Sequence, residues 1–133
     1  MYVRVPGWSK PDAVVSVNGK RVLPSVEPAS FAAIRRTWKD GDRIELEFPM
    51  PLRLEAVDEQ HADLVALLRG PLVLFAVADA QPQFDRAELL RARAANNDAG
   101  DWLATSADGS AIAMRPFMTI QKEKYSTYVR LKS

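Results

Sequence analysis

Two glutamates in one short segment are the first residues whose type and spacing would allow catalysis. Glu45 and Glu47 stand two residues apart within Arg43–Phe48, where charged and apolar residues alternate strictly. In a β-strand this alternation places both carboxylates on the same face, and paired carboxylates are the acid and base of many glycosidases. Because the opposite face is apolar, the pattern also fits a half-buried strand whose charged face lies in water. We favour this second interpretation.

His61 offers a second possible site, since it is the only histidine. It lies in the segment Val57–Asp63, where Asp58 or Asp63 would be placed to orient it as a general base. One histidine beside carboxylates lacks the cysteine or second histidine that zinc sites use. A solvated loop between two strands is the simpler interpretation. We therefore predict no catalytic residue and no metal site.

The composition excludes several other classes of function. The 133-residue chain has no cysteine, which removes disulfides, thiolate nucleophiles and zinc sites built on sulfur. Its 6 glycines are too scattered for a phosphate-binding or dinucleotide-binding loop. With 18 Lys and Arg against 17 Asp and Glu, the net charge of +1 gives no electrostatic footprint for nucleic acid or an anionic membrane. We expect no cofactor, no nucleic acid and no membrane partner.

Four aromatic residues are candidates for binding carbohydrate by stacking on sugar rings. They are Trp8, Trp38, Trp102 and Tyr128. Large aromatic side chains more often bury apolar area in a core or between domains. The sequence leaves both interpretations open, because it does not fix which face each ring occupies.

The segments that must position these residues are mostly predicted strands. Asn18-Gly19 predicts a two-residue hairpin turn in which both residues take positive φ, and Leu72–Val77 is a continuous apolar run, typical of a strand covered on both faces. The alternation and turn signals predict strands at Tyr2–Val5, Val14–Val17, Phe31–Trp38, Arg43–Phe48, Leu52–Val57, Leu64–Leu68, Leu72–Val77, Trp102–Ser106, Ala111–Pro116 and Thr127–Leu131.

A single short helix is predicted in the last two-fifths of the chain. Asp85–Arg93 has Asp85 as an N-cap and Glu88 in the first turn, although an edge strand is an alternative. Short strands at close intervals with at most one helix are typical of an all-β, antiparallel β-sandwich, here jelly-roll-like. We expect one domain over residues 1–133.

Several segments together resemble a known family. They occur in the order Val3–Trp8, Val17–Gly19, Ile34–Asp42, Leu46–Pro51 and Val65–Val73, followed by Met114–Phe117 and Tyr125–Tyr128. This set is similar to the C-terminal β region of glycoside hydrolase family 127, the β-L-arabinofuranosidase family first catalogued as domain-of-unknown-function family 1680.

The resemblance implies a scaffold rather than an active site. The family's catalysis is assigned to an (α/α)6 barrel with a cysteine nucleophile, a zinc held by Cys and Glu, and a glutamate acid/base, and none of those motifs is matched here. We therefore expect a non-catalytic accessory domain, a C-terminal fragment of a longer hydrolase that packs against the N-terminal catalytic barrel. Degradation of sugar polymers, which the resemblance implies, suggests that this parent is periplasmic or secreted.

Further expectations follow from that role. A face freed from the barrel would be apolar and allow self-association. Arg69, Gly70 and Pro71 join two apolar strands, so we expect a structural or interdomain role, with Arg69 pairing with an acidic partner. The alternative function is a carbohydrate-binding module that grips glycans through the four aromatics.

Overall fold

The computed structural model describes residues 1–9, 12–23 and 26–132. The chain divides into two compact units, Met1–Pro51 and Leu52–Ser133. Each unit has its own strands and its own buried cluster. The expectation of one domain over the whole chain stays a prediction.

Within its described residues, the first unit has five short strands. β1 pairs antiparallel with β4, and β2 lies between β3 and β5 in an antiparallel sheet. The strand predicted over Phe31–Trp38 is shorter in the structure, where β4 ends at Ala33, the residue opposite Tyr2 of β1. The bounds are β1 Tyr2–Val5, β2 Val14–Val17, β3 Lys20–Arg21, β4 Ser30–Ala33 and β5 Ile44–Glu47.

The predicted Asn18-Gly19 turn is confirmed. The two residues have φ of 52° and 82°, as the favoured two-residue hairpin requires. The Asn18 side chain also donates to Asp42 Oδ1 at 2.9 Å and accepts from the Arg43 N–H at 2.9 Å. Hydrogen bonds of the Asn18 side chain therefore connect the β2–β3 turn to the turn that precedes β5.

The core of the first unit explains the alternation in β5. Val15 and Val17 are buried, and Ile44 and Phe48 pack against their cluster. Leu46, opposite Val15, remains 43% exposed because β5 is the edge strand of its sheet. β5 is thus the half-buried strand that the alternation predicts, but Leu46 on its apolar face is more exposed than the alternation alone suggests.

The second unit contains a nine-stranded sheet. Its order is β10-β11-β12-β8-β7-β14-β9, with β6 paired to β7 and β13 paired to β8. Every pairing is antiparallel except that of β14 with β9. The bounds are β6 Leu52–Ala56, β7 Leu64–Arg69, β8 Leu72–Val77, β9 Gln83–Phe84, β10 Arg93–Ala94, β11 Trp102–Thr105, β12 Ala111–Pro116, β13 Tyr125–Ser126 and β14 Val129–Leu131.

The predicted short helix is confirmed as α1, Arg86–Leu90. Asp85 is its N-cap residue, but the Asp85 side chain makes no cap hydrogen bond. The helix contributes Leu89 to the core of the second unit, beside Leu67, Leu74, Phe84 and Met114.

Burial along the two apolar strands differs from the prediction. β8 alternates between buried and half-buried residues, whereas β7 has four consecutive buried residues. The all-β class is confirmed, and the jelly-roll-like sandwich stays a prediction. None of the helices in the described residues combines the length and apolar character needed to cross a bilayer.

Candidate functional site

Glu45 and Glu47 lie on the solvated face of β5. The β2–β5 register places them opposite Ser16 and Val14, on the side away from the buried Val15. Both side chains are exposed, and the Arg43 guanidinium is 3.9 Å from Glu45. This placement is that of a charged outer surface rather than of a catalytic pocket.

His61 and Asp58 form a local turn on the surface of the second unit. His61 Nδ1 lies 2.8 and 3.0 Å from the two Asp58 oxygens, and the His61 main-chain N–H donates to Asp58 Oδ1 at 2.7 Å. The side-chain hydrogen bond from His61 lowers the pKa of Asp58. Asp63 pairs instead with Arg130 at 2.6 Å. The arrangement stabilises a loop, as the simpler interpretation of the sequence holds.

The two tryptophans of the first unit are half-buried. Trp8 contacts Phe48 edge to face, with ring centroids 6.0 Å apart. Trp38 packs against the core, and the Arg36 guanidinium lies 5.3 Å from its ring centroid. Their neighbours cover part of each ring.

The two aromatic candidates of the second unit differ in exposure. Trp102 is half-buried against the core, with the Arg69 guanidinium 5.3 Å from its ring centroid. Tyr128 is 36% exposed, and its main-chain carbonyl accepts a hydrogen bond from Gln81 Nε2 at 2.9 Å. Carbohydrate binding by these four aromatics stays a prediction.

Gly70 and Pro71 form the two-residue turn between β7 and β8. Gly70 has φ of 58°, the backbone conformation that a glycine at the first turn position supplies. Its carbonyl accepts a hydrogen bond from the Arg53 guanidinium. Arg69 contacts Trp102, and within the described residues no carboxylate lies within ion-pair distance of it. The acidic partner expected for Arg69 therefore stays a prediction.

The structure contains an enclosed ion-pair network that the sequence did not predict. Arg115 donates through Nε and Nη2 to the two oxygens of Asp101 at 2.7 and 2.9 Å, and through Nη1 to Glu123 at 2.9 Å. Asn97 donates to Asp101 Oδ2 at 3.1 Å. The hydrogen bonds from Arg115 lower the pKa of Asp101, although burial opposes this effect. With Asp101 bonded through both oxygens, the network has a structural role.

An exposed aromatic cluster also escaped the sequence interpretation. Phe75 and Tyr125 stack with centroids 4.9 Å apart and planes at 10°, and Phe117 meets Phe75 edge to face at 5.8 Å. Phe117, the adjacent Met118 and Tyr125 are 67%, 65% and 47% exposed. We call Phe75, Phe117, Met118 and Tyr125 the aromatic patch. The pairing of β13 with β8 brings Tyr125 to Phe75, and no local pattern predicts that pairing.

A groove of about 490 Å³, lined by both apolar and polar residues, lies between the Ala78–Gln83 segment and the β11–β12 turn. The Ala107 N–H at that turn donates to the Gln83 carbonyl at 2.8 Å. Hydrogen bonds from Ser106 and Ser110 lower the pKa of Asp108 to about 2. The polar lining side chains are Gln81, Gln83, Ser106, Asp108, Ser110 and Lys132.

The described residues contain no group of three or more His, Asp or Glu side chains that would hold a metal ion. Asp58 and Asp63 each bind a different partner.

Comparison with known proteins gives one family match. Residues 1–50 match the family model described as "Beta-L-arabinofuranosidase, GH127 middle domain". The description specifies a middle domain, so the expected C-terminal placement stays a prediction. Comparison with curated protein sequences gives no significant match.

Among solved structures, 11 chains match. One, titled "Glycoside hydrolase", has a TM-score of 0.68 and 20% identity over 99% of this chain and 27% of its own. Another, titled as a GH127 β-arabinofuranosidase, has a TM-score of 0.57 and 24% identity over 98% of this chain and 25% of its own. The chain thus shares their fold and spans about a quarter of their length.

Proposed function

We propose that this chain is a non-catalytic, all-β accessory domain of a glycoside hydrolase similar to family 127. The match of residues 1–50 to a GH127 middle-domain model is the observation that carries the proposal. The likeness of fold to two longer hydrolase chains, over 99% and 98% of this chain, supports it.

The positions of the side chains that could act in catalysis are consistent with a supporting role for this domain. Glu45 and Glu47 are exposed on an edge strand, and His61 is held in a surface turn by Asp58. The sequence has no cysteine, so it cannot provide the nucleophile that the family resemblance implies. In the parent protein, hydrolysis then belongs to a separate catalytic barrel.

The partner of the domain is that barrel, reached through exposed apolar surface. The second unit carries the aromatic patch, and the first unit carries exposed Tyr2 and Phe31 on the outer side of the β1–β4 pair. Isolated exposed apolar residues are ordinary, but clustered ones are typical of interaction sites. The same surfaces would allow the free chain to self-associate.

Hydrolysis of aryl β-L-arabinofuranosides tests the proposal. This chain is expected to give no turnover above the buffer rate, while the full-length parent hydrolyses the substrate. Circular dichroism of the same sample checks that the chain is folded during the assay. Robust turnover by the folded chain alone would refute the accessory role.

The carbohydrate-binding alternative is weaker at the three tryptophans. Trp8, Trp38 and Trp102 are half-buried, and each has an aromatic or guanidinium group close to its ring. Rings in such surroundings favour packing over stacking on a sugar. Calorimetric titration with arabinan and arabinogalactan tests the alternative, and Trp38→Ala or Trp102→Ala is expected to change stability rather than affinity.

A further inference from the structure

The groove beside the β11–β12 turn has a lining that is chemically mixed but electrically balanced. Asp108 and Lys132 contribute one charge of each sign, and none of the described residues that line the groove is an arginine. The lining therefore lacks the cationic cluster or bidentate guanidinium that phosphate and carboxylate ligands favour. A ligand that fits this groove is neutral overall.

The remaining polar groups are suited to hydroxyl groups. The amides of Gln81 and Gln83 both donate and accept hydrogen bonds, as does the hydroxyl of Ser110. Pro82 and the half-buried Ile112 add apolar lining. Alternating hydroxyl groups and C–H faces are the chemistry of a saccharide. We propose that this groove binds a neutral saccharide, and its volume of about 490 Å³ lies in the range of small-molecule sites.

Hydrogen bonds within the protein fix the shape of the groove before any ligand binds. The Ala107 N–H donates to the Gln83 carbonyl at 2.8 Å, and the Lys132 N–H donates to the Phe84 carbonyl at 2.8 Å. Gln81 Nε2 donates to the Tyr128 carbonyl at 2.9 Å. Three chain segments are thus joined before binding, which reduces the entropy that association must remove.

Asp108 supplies a fixed acceptor at one side of the groove. Its Oδ1 accepts hydrogen bonds from the Ser106 hydroxyl and, at 2.9 Å, from the Ser110 N–H. These bonds hold the carboxylate in one orientation, and with a pKa of about 2 it stays ionised near neutral pH. An ionised carboxylate accepts hydrogen bonds only, which suits the hydroxyl donors of a sugar.

NMR titration of the 133-residue chain, labelled with ¹⁵N, tests the proposal. The neutral probes are arabinobiose, galactobiose, xylobiose and cellobiose, and inorganic phosphate is the anionic probe. We expect saturable amide shifts with at least one disaccharide, confined to residues 78–83, 106–112 and 132, and none with phosphate. Silence with all four disaccharides, or preferential binding of phosphate, would overturn the proposal.

Two variants localise the binding. Ala107→Trp places a bulky side chain in the groove at an exposed position while keeping the main-chain bond to Gln83, so saturable binding is expected to be lost. Gln83→Ala removes one neutral hydrogen-bonding group and is expected to weaken binding about threefold to tenfold. Gln60→Ala removes an exposed amide in the loop between β6 and β7, away from the groove lining, and is the matched control.

The variants also separate failure of binding from failure of folding. All three are expected to keep the wild-type pattern of amide shifts outside the groove. If folded Ala107→Trp binds the disaccharide with wild-type affinity, the groove is not the site and the proposal fails. The titration does not depend on the accessory role, since the hydrolysis assay tests that role on its own.

Discussion

Arg115 and Asp101 form the most enclosed of the ion pairs within the described residues. Their side chains are 17% and 5% exposed, and two parallel N–H···O bonds join them. A bidentate pair of this kind is stronger and more directional than a single contact. It joins the loop before β11 to β12, and a third bond from Arg115 to Glu123 adds the segment before β13. The network thus holds the loop before β11 and the segment before β13 to β12.

Asp101→Ala is expected to be strongly destabilising. It leaves the Arg115 guanidinium partly buried with only the more exposed Glu123 as a partner, and removing one member of an enclosed pair costs about 3 kcal/mol or more. Urea denaturation followed by circular dichroism measures the free energy of unfolding. Glu88→Ala, which removes the exposed pair with Arg91, is the control and is expected to change stability by about 0.5 kcal/mol or less. Equal effects of the two variants would contradict the structural role of the network.

Acid is expected to destabilise the fold through carboxylates whose pKa values are lowered. Asp108 is the clearest case, because hydrogen bonds from Ser106 and Ser110 lower its pKa from 3.8 to about 2. A lowered pKa contributes stability above the unfolded-state value, and that contribution is lost as the pH falls through the folded-state value. The thermal midpoint is therefore expected to be constant above about pH 5 and to fall between pH 4 and pH 2. Asp42, Asp58, Asp101 and Glu123 shift in the same direction.

Asp108→Asn provides the matched comparison for this pH dependence. The amide keeps an acceptor oxygen for the Ser110 N–H but cannot be protonated at low pH. The drop in thermal midpoint between pH 5 and pH 2 is expected to be smaller than in the wild type. A wild-type midpoint that stays unchanged from pH 5 to pH 2 would contradict the lowered pKa values.

At the scale of elements, the sequence predicts turns better than it predicts strand lengths. Asn18-Gly19 and the Gly70-Pro71 connection are found where the sequence indicates them, because turn chemistry depends on two or three adjacent residues. The strand from Phe31 ends early because its length depends on a partner elsewhere in the chain. The same reason applies to Leu46, whose exposure follows from the edge position of β5.

Gly70→Ala is expected to destabilise the β7–β8 hairpin. At φ of 58° an added Cβ crowds the backbone, at a cost of about 1–2 kcal/mol. Urea denaturation measures the midpoint of unfolding, with the dependence of the unfolding free energy on urea concentration fixed at the wild-type value. Gly7→Ala is the control, because Gly7 lacks a positive φ and an added Cβ would lie 3.5 Å from the Ala29 Cβ, an ordinary contact. If Gly70→Ala is as stable as Gly7→Ala, the turn conformation is not required.

At the scale of the whole molecule, the candidate sites depend on pairings between distant segments. The groove takes its polar lining from the segment before β9, the β11–β12 turn and the last residues of the chain. The aromatic patch requires β13 to pair with β8. Neither the groove nor the aromatic patch leaves a local pattern in the sequence. Residue type instead suggested the tryptophans as binding residues, and the structure shows that they are half-buried. Residue type alone predicted the candidates, and long-range strand pairing decided their exposure.

The aromatic patch is expected to make the free chain self-associate at high concentration. Phe117 contacts Phe75 and is largely exposed, as is its neighbour Met118, so two copies that met at this surface would bury apolar area. The double variant Phe117→Ser, Met118→Ser removes apolar area from the contact and is expected to weaken self-association about tenfold or more. A tenfold change corresponds to a loss of about 1.4 kcal/mol of association free energy. Sedimentation velocity over a range of concentrations measures the effect, and the thermal midpoint is expected to change little because both side chains are exposed. Val57→Ser, at an exposed apolar residue in the β6–β7 loop, is the control and is expected to associate like the wild type. A wild-type chain that sediments as a monomer at every concentration, or a double variant that associates as strongly as the wild type, would show that this surface does not drive contacts between copies.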